Sequence, residues 1–343
     1  MRQRIRFCPT PAGRLAYSVQ GSGPILLCDT GWVGHLEAML EVPSFRGWLA
    51  GLAERFAVVR YDKLGSGLSD RTGVDLSFDG QVAGLIAIAD QVHADRFHLF
   101  GASQGGQVAA AVAARLHQRI DRLVLYGTCA DGAAQAPPEV RASLVSLVRA
   151  HWGLGSRTLA GIFMPDPTPE DVREFDVVQR SASTSEVAAD LLNEYYDTDT
   201  TALLPTIESP SLVLHREADK ATKFALGRKV ASLIPNATLV PLQGSTHLFW
   251  KGDWQAVLGA MLDFLPRAQP AETARLSPRE LEVAALVADG MTNQDIARTL
   301  FIAPRTGETH VENLLKKLGF RSRAQVAAWI ASQKIQGGSD PAT

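Results

Sequence analysis

The sequence is poor in the features that mark secreted, membrane-spanning and metal-binding proteins. Its 343 residues include only three cysteines, an odd number without the spacing of metal ligands, and this usage fits a reducing compartment. No apolar run reaches the roughly 18 residues that a membrane-spanning helix requires, and the first residues lack the apolar segment of a signal peptide. We therefore expect a cytoplasmic protein with no membrane segment, no metal ion and no cofactor.

An excess of charge of one sign is also lacking. The formal net charge of −2 at pH 7 provides no overall attraction to nucleic acids or anionic membranes, so any affinity for DNA must come from local arrangement. The length and the apolar fraction of 46% allow one large core and one small core. Because a polar, Pro- and Ala-rich segment follows residue 265, we predict domains at 1–266 and 276–335, joined by a linker at 267–275.

The first predicted domain alternates short β-branched runs with helical patterns. This alternation is typical of an α/β fold with a doubly wound sheet. The predicted strands cover residues 25–28, 57–61, 97–100, 123–126, 212–215 and 238–241. An insertion at about 134–205 has helical patterns beginning near Pro137, Thr168 and Ser183, and it is predicted to form a lid.

A serine lies where the strand at 97–100 passes into the following helix. The segment Gly101-Ala-Ser103-Gln-Gly105 places small residues on both sides of it. A G-x-S-x-G segment between a strand and a helix is typical of a nucleophile elbow, a turn so tight that the serine backbone is strained. A serine hydroxyl needs an imidazole to accept its proton, and the imidazole needs a group to orient it. Ser103 is the candidate nucleophile.

With this elbow in place, residues 1–266 resemble the α/β-hydrolase superfamily. The resemblance implies that His247, in the loop after a late strand, is the base and that Asp219, after the preceding strand, is the acid. The order Ser, Asp, His is the one that this fold uses. Two alternatives stay open, a surface role for His247 and Glu217 as the acid in place of Asp219.

The resemblance also implies an oxyanion hole, in which two backbone N–H groups point at the developing negative charge. Gln104, the residue after the nucleophile, supplies one donor. We predict that Trp32 supplies the other, from the loop after the strand at 25–28. The superfamily often has His-Gly in that loop, whereas this chain has Asp29-Thr-Gly31-Trp32. The difference affects the shape of the hole and not its existence, because the donors are backbone groups.

The second predicted domain has the pattern of a small all-α unit. N-caps at Ser277, Thr292 and Ser322, together with Pro304, mark the starts of four helices. The helix that begins at Pro304 is the longest and carries one apolar stripe before Gly319 ends it.

The segment 276–323 resembles the DNA-binding domain of LuxR/FixJ-type transcriptional regulators. Its caps, its apolar stripe and its closing Lys-Lys-Leu-Gly-Phe-Arg-Ser-Arg occur in the order of that family. The resemblance implies a helix-turn-helix in which residues 306–318 enter the major groove of duplex DNA. The predicted DNA-binding residues are Thr292, Asn293, Arg305, Thr306, Glu308, Thr309, Glu312 and Lys316.

This segment departs from the family pattern at two positions. Ala303 stands where a capping serine is usual, and Gly307 stands where an apolar valine is usual, so the reading helix should be weaker than in relatives. We expect Gly307→Val to stabilise the domain by filling apolar volume. Residues 272–343 hold nine Lys/Arg and eight Asp/Glu, so one copy would release few counterions from DNA. A homodimer is therefore expected.

Two functions from different classes fit the fused chain. The first is a transcriptional regulator whose hydrolase-like domain senses, and slowly hydrolyses, a small apolar ester or lactone, because a purely metabolic esterase has no use for a DNA reader. The second is an active serine hydrolase, of esterase or lactonase type, with a passenger DNA-binding tail. The fold alone does not decide function, and we favour the regulator because the hydrolase-like domain is fused to a DNA reader. Its expected partners are duplex DNA, a small-molecule ligand and a second copy, and the resemblance allows contact with RNA polymerase.

Overall fold

The chain folds into two units, formed by residues 1–267 and 268–343. The computed structural model describes residues 3–266, 276–318, 322–323, 325–327 and 329–330. The predicted linker at 267–275, Gly319, and residues 331–335 of the predicted second domain lie outside the described residues. Among the helices of the described segments, none has the length and apolarity to cross a bilayer.

The first unit is built on one sheet of eight strands. These strands are β1 (Arg6–Thr10), β2 (Gly13–Gln20), β3 (Ile25–Asp29), β4 (Ala57–Tyr61), β5 (Phe97–Ala102), β6 (Ile120–Tyr126), β7 (Ser211–Arg216) and β8 (Ala237–Leu242). Their order is β1-β2-β4-β3-β5-β6-β7-β8, and every pair from β4 to β8 is parallel. The predicted α/β class is confirmed, with each of the six predicted strands inside an observed one.

Two further strands at one edge, β1 and β2, are absent from the sequence prediction. They pair antiparallel with each other, and β2 pairs antiparallel with β4. Within β1 only Cys8 is buried, and the strand also contains Arg6 and Pro9. An edge strand that buries so little needs no apolar run, so the pattern that reveals the central strands does not appear there.

The central strands separate two apolar cores, one on each face of the sheet. On β3, Leu27 belongs to one core and Leu26 to the other, and on β5 Leu99 and Phe100 divide in the same way. Because helices cover both faces, these strands are apolar along their length. The helices of this unit are α1 (Ala38–Glu41), α2 (Pro43–Ala53), α3 (Phe78–Gln91), α4 (Gln104–Arg115), α5 (Pro138–Ala150), α6 (Trp152–Phe163), α7 (Pro169–Ala182), α8 (Ser185–Asp197), α9 (Phe224–Leu233) and α10 (Trp254–Phe264).

The insertion between β6 and β7 contains four helices, α5 to α8, where the sequence predicts three. The unpredicted helix is α6, which contains three glycines and therefore has low intrinsic helix propensity. Packing compensates, because Leu159 and Ala160 of α6 are buried in a third apolar core. A Cβ at Gly155 would lie 2.8 Å from the Val148 Cα, so the close approach of α5 and α6 requires a glycine.

The second unit is the predicted small all-α unit. Its helices include α11 (Pro278–Ala288), α12 (Asn293–Thr299) and α13 (Pro304–Lys317), and residues 323, 325–327 and 329–330 are also helical. Two of the predicted N-caps, Ser277 and Thr292, form capping boxes with Glu280 and Asp295. The buried stripe of α13 packs against α11 and α12 through Val311, Leu314 and Leu318.

Gly307 lies where α12 and α13 approach each other, and not beside unfilled apolar volume. A Cβ at this position would be 3.0 Å from the Asn293 carbonyl oxygen and 3.2 Å from the Ala297 Cβ. The methyl groups of a valine would extend further into the same space. This close crossing opposes the expectation that a valine here fills a cavity, because the Asn293 carbonyl or the Ala297 side chain would have to move by a few tenths of an ångström.

Candidate active site and DNA-reading helix

Ser103 occupies the turn between β5 and α4 in a backbone conformation that non-glycine residues rarely adopt. Its φ is 54° and its ψ is −124°. Small neighbours make this turn possible, because a Cβ at Gly101 would lie 2.5 Å from the Gly105 carbonyl oxygen and one at Gly105 would lie 2.4 Å from that of Asp29. Such a conformation costs about 1–3 kcal/mol and persists only where the surroundings enforce it. The backbone thus has the strain that the G-x-S-x-G pattern predicts.

The structure brings Ser103, His247 and Asp219 into one hydrogen-bonded chain. His247 Nε2 lies 2.9 Å from Ser103 Oγ, and His247 Nδ1 lies 2.8 Å from Asp219 Oδ2. With its proton on Nδ1, the imidazole presents a lone pair on Nε2 to the serine hydroxyl. Glu217, the alternative acid, is exposed, and its Oε2 instead accepts a hydrogen bond from Gln243 Nε2 at 2.6 Å. The geometry favours Asp219 over Glu217.

The surroundings of Asp219 keep its carboxyl group ionised. Burial by itself raises the pKa, but the adjoining His247 and His215 rings and the hydrogen bonds that the carboxylate accepts lower the pKa below its ordinary value of 3.8. Two of those bonds come from the backbone N–H groups of Ala221 at 2.9 Å and Thr222 at 3.1 Å. An ionised acid is what orients and stabilises a protonated imidazole.

The predicted oxyanion donors lie beside the serine. Gln104 is the first residue of α4, and Trp32 follows β3 in a loop that lines the same cavity as Ser103. Both residues are buried, and within the described part of the chain neither backbone N–H donates a hydrogen bond. Buried N–H groups without acceptors are rare, because desolvation without a partner is costly. Their assignment as oxyanion donors stays a prediction that this arrangement supports.

A buried ion pair behind the oxyanion loop is a feature that the sequence analysis missed. Lys63 Nζ lies 3.1 Å from Asp29 Oδ2, which also accepts from the Tyr61 hydroxyl at 2.8 Å. Lys63 donates further to Gln104 Oε1 at 3.4 Å. Burial lowers the pKa of Lys63, and the Asp29 carboxylate opposes that shift. The sequence signal for this pair was a charged residue at the end of each of two buried strands. Asp29 is the last residue of β3, and Lys63 lies just beyond the end of β4.

Two sets of contacts, from Arg216 and from Phe163, hold the loop that carries His247. The sequence analysis missed both. Arg216, buried at the end of β7, donates to the carbonyl oxygens of Gln243 at 3.3 Å and Lys251 at 2.8 Å. From the lid, the Phe163 carbonyl oxygen accepts the His247 backbone N–H at 2.7 Å, and the two rings are 5.2 Å apart. The lid therefore contacts the candidate base directly.

A second contact joins the lid to this loop. Lys251 Nζ lies 2.6 Å from Asp171 Oδ1 and 2.5 Å from Glu174 Oε2, both on α7. Burial lowers the pKa of Lys251, but the two carboxylates outweigh it and raise the pKa above 10.5. Burial raises the pKa of Asp171, but hydrogen bonds from Lys251 and Thr168 bring it below 3.8.

Two cavities meet at Ser103 and His247, and both are also bounded by Trp32 and Phe163. We call them the α7 chamber and the α8 chamber, after the helix of the insertion that lines each one. The α7 chamber has a cavity volume of about 50 Å³ and is lined by Met39, Val42, Phe175, Val178 and Phe249, among others. The α8 chamber has a cavity volume of about 250 Å³ and is walled mainly by Val140, Leu144, Leu159, Ile162 and Leu192. Both walls are largely apolar, as in most sites for small organic molecules.

The predicted DNA-binding residues fall into two groups. Those on α13 have exposed side chains, namely Arg305, Thr306, Glu308, Thr309 and Glu312. Lys316 also lies in α13, but its side chain is outside the described residues. Those at the start of α12 are engaged within the protein, because Thr292 forms the capping box and Asn293 Oδ1 accepts from Arg323 at 2.7 Å. The exposed α13 side chains are therefore the ones that can face a base edge, although the Thr309 hydroxyl donates to the Arg305 carbonyl oxygen at 3.0 Å.

Comparisons with known families agree with this architecture. Residues 24–253 match the alpha/beta hydrolase fold family, and residues 274–330 match the luxR family of bacterial regulatory proteins. The chain therefore belongs to the α/β hydrolase fold family and carries a luxR-family DNA-binding regulatory domain at its C-terminal end. The resemblance inferred from the sequence is confirmed for both parts.

Individual relatives each match one part of the chain. The nitrate/nitrite response regulator protein NarL of Escherichia coli strain K12 is 40% identical over 73 residues, which are 20% of this chain and 34% of NarL. The chain thus spans about a third of the length of this relative. Among solved structures, a hydrolase from Pseudomonas aeruginosa PA01 is 26% identical with a TM-score of 0.66, covering 76% of this chain and 98% of its own. The enol-lactonase from Burkholderia xenovorans LB400 is 22% identical with a TM-score of 0.65, covering 76% and 99%.

Proposed function

We propose that this protein is a transcriptional regulator that senses a small, mostly apolar ester or lactone in its α/β-hydrolase unit and slowly hydrolyses it. The observation that carries the proposal is the hydrogen-bonded chain from Ser103 through His247 to Asp219, beneath a lid and in the same polypeptide as a luxR-family domain. A sensor needs a site that recognises a ligand, and a reactive serine between two chambers provides one.

The reaction follows from the positions of these groups. His247 Nε2 accepts the Ser103 hydroxyl proton while Oγ attacks the carbonyl carbon of the ligand. The negative charge that develops on the carbonyl oxygen is stabilised by the N–H groups of Trp32 and Gln104, and Asp219 stabilises the imidazolium. The imidazolium then protonates the departing alkoxide, which leaves an acyl group on Ser103 until water, activated by the same imidazole, releases it.

The chambers and the lid support a sensing role. An ester at Ser103 would place its acyl and alcohol parts in the two apolar chambers, so both parts contribute to recognition. The lid backbone hydrogen-bonds to His247 through Phe163, so a ligand that moves the lid also changes the site. Slow hydrolysis would empty the site and reset the signal.

The DNA-binding function is assigned to α13, whose exposed side chains would face base edges in the major groove. Among its side chains with described positions, the exposed charges are Arg305 with Glu308 and Glu312, so one copy gains little from phosphate attraction. We infer a homodimer that reads a two-fold symmetric site. Selection from a random duplex library at a fixed salt concentration should enrich a palindromic sequence. Absence of enrichment would favour the second candidate, a serine hydrolase with a passenger tail, which the complete Ser-His-Asp chain also fits.

The reactivity of Ser103 is tested by covalent labelling. An alkyl fluorophosphonate reacts only with an activated serine, and intact mass detects the adduct. We expect one adduct on the wild type and none on Ser103→Ala, with both proteins giving the same circular dichroism spectrum. A folded wild type that remains unlabelled would remove the hydrolytic part of the proposal and leave a receptor that binds without reaction.

A further inference from the structure

One wall of the α8 chamber is formed by a buried polar cluster around Gln135, whose side chains take no part in the proposed reaction. Gln135 Nε2 lies 3.2 Å from Thr222 Oγ1, 3.0 Å from Cys129 Sγ and 2.5 Å from the Tyr195 hydroxyl. Burial raises the pKa of Cys129 to about 11 and that of Tyr195 well above 10.0, so the thiol and the phenol stay protonated at neutral pH. The cluster is therefore a set of uncharged hydrogen-bonding groups.

The oxygen atom of the Gln135 amide takes no part in these contacts. Its Oε1 is buried and has no hydrogen-bond partner among the described residues, although Gln135 lines the chamber. A buried polar atom without a partner costs about 1–3 kcal/mol, and nearly all such atoms in folded proteins are paired. A ligand in the chamber could therefore supply the hydrogen-bond donor that this oxygen lacks.

The turn that carries Gln135 is packed against α8. The residue ends the short 3-10 turn Gly132–Gln135, and the Gly132 N–H donates to the Thr198 carbonyl oxygen at 2.9 Å. A Cβ at Gly132 would lie 1.9 Å from the Tyr195 carbonyl oxygen, so the turn lies directly against α8. The turn thus fixes the backbone of Gln135, and the contacts of Nε2 with Thr222, Cys129 and Tyr195 hold the amide.

Between this amide and Ser103 the chamber wall is mostly hydrocarbon. Most of the apolar wall residues come from α5, α6 and α8, and Lys220, a charged side chain on the wall, is exposed. A molecule that fills the chamber therefore has one reactive polar end, an apolar body and one uncharged polar group where it meets Gln135.

We propose that the ligand is an ester or lactone that carries a hydrogen-bond donor, a hydroxyl or an amide N–H, remote from its reacting carbonyl, and that Gln135 Oε1 accepts that donor. This inference rests on the proposed function, because it places the reacting carbonyl at Ser103. Gln135 is thus a specificity-determining residue. A site that hydrogen-bonds a ligand group discriminates strongly against the analogue that lacks it.

The test compares matched esters with and without a hydroxyl in the first turnover on the full chain. One series contains p-nitrophenyl octanoate and its hydroxyoctanoate analogues with the hydroxyl at each carbon from 3 to 8, which probes the acyl half. The other contains octyl acetate and the corresponding hydroxyoctyl acetates, which probes the alcohol half. We expect at least one hydroxylated ester to acylate Ser103 about tenfold faster than its parent, which corresponds to one net hydrogen bond.

In Gln135→Met this preference should disappear, so that the hydroxylated esters acylate Ser103 no faster than the parent ester does in the same variant. Gln135→Glu, which keeps an oxygen at the Oε1 position, should retain the preference and serves as a second variant if the methionine protein does not fold. The matched control is Gln107→Met, which also removes a buried amide that contacts Cys129 but lines neither chamber. The control should keep the preference.

Two failures are distinguishable. If neither the esters nor a fluorophosphonate acylate or label the wild type, the proposed function fails and this inference falls with it. If the esters acylate Ser103 without any hydroxyl preference, or if the preference survives in Gln135→Met, the inference is overturned and the proposed function stands.

Discussion

The two units place their functional groups in opposite environments. In the hydrolase unit His247 and Asp219 are buried, and the polar atoms that link Ser103, His247 and Asp219 have defined partners. In the helix-turn-helix unit the candidate reading side chains are exposed on one face of α13. Buried polar groups must be satisfied locally, so their chemistry is fixed by the fold, whereas exposed groups gain a fixed role only when DNA supplies the partner.

Glycine has a different use in each unit. In the hydrolase unit, Gly101 and Gly105 allow the strained turn that presents Ser103, the candidate nucleophile. In the helix-turn-helix unit, Gly307 allows two helices to cross closely, which is a matter of packing alone. Substitution should therefore affect reactivity in the first unit and stability in the second.

The largest effect is expected from Asp219→Asn. An asparagine keeps the size of the side chain but favours the imidazole tautomer that cannot accept the serine proton, so fluorophosphonate labelling of Ser103 should slow by roughly a thousandfold to ten-thousandfold. The measurement is the labelling rate by mass spectrometry. Glu217→Gln is the matched control, since this exposed carboxylate contacts Gln243 and should leave the rate unchanged. If Asp219→Asn is labelled as fast as Glu217→Gln, Asp219 is not the acid.

A smaller effect is expected from Gly307→Val. The added methyl groups must displace the Asn293 carbonyl or the Ala297 side chain, which costs about 1–3 kcal/mol by overpacking. Hydrogen exchange in peptides covering 293–317 of the full chain should accelerate, while peptides of β5 and β6 exchange as before. Gly307→Ala, with a single methyl, should fall between the two proteins. Slower exchange in the valine variant would mean that the helices separate readily and that the original cavity expectation was right.

The smallest effect is expected from the contact between Lys251 and α7. The Asp171 pKa lies below 3.8, so its contribution is present above that pH and is lost as the pH falls through the lowered value. The Lys251 pKa lies above 10.5, so its contribution is present below that pH and is lost as the pH rises through the raised value. The contact should be independent of pH between these limits.

At neutral pH, Lys251→Met should accelerate hydrogen exchange in α7 a few-fold, an effect on the scale of a partly exposed ion pair. Arg173→Met is the matched control, because Arg173 pairs with Glu170 on the same helix and does not join α7 to the His247 loop. If both variants exchange alike, Lys251 does not hold the lid. Wild-type protection of α7 that declines between pH 5 and pH 9 would also contradict the assignment.

The features that are predictable from the sequence are those that burial enforces. The six central strands are apolar on both faces, and the serine turn admits only small neighbours, so both leave a clear pattern. The features that are not predictable are made by tertiary contacts, such as α6 with its three glycines, the Asp29–Lys63 pair and the carbonyl contacts of Arg216. The close crossing at Gly307 belongs to the same group, because helix separation is set by packing and not by the residue itself.

The central claim is that occupancy of the hydrolase site alters DNA binding. The direct measurement is the Kd for a selected duplex, by fluorescence anisotropy at one salt concentration, before and after Ser103 is labelled with an alkyl fluorophosphonate. Ser103→Ala treated in the same way controls for reagent effects. A coupling of ordinary size predicts that labelling changes the Kd about 5-fold to 150-fold in the wild type and not in the variant. Full labelling with an unchanged Kd would contradict the claim.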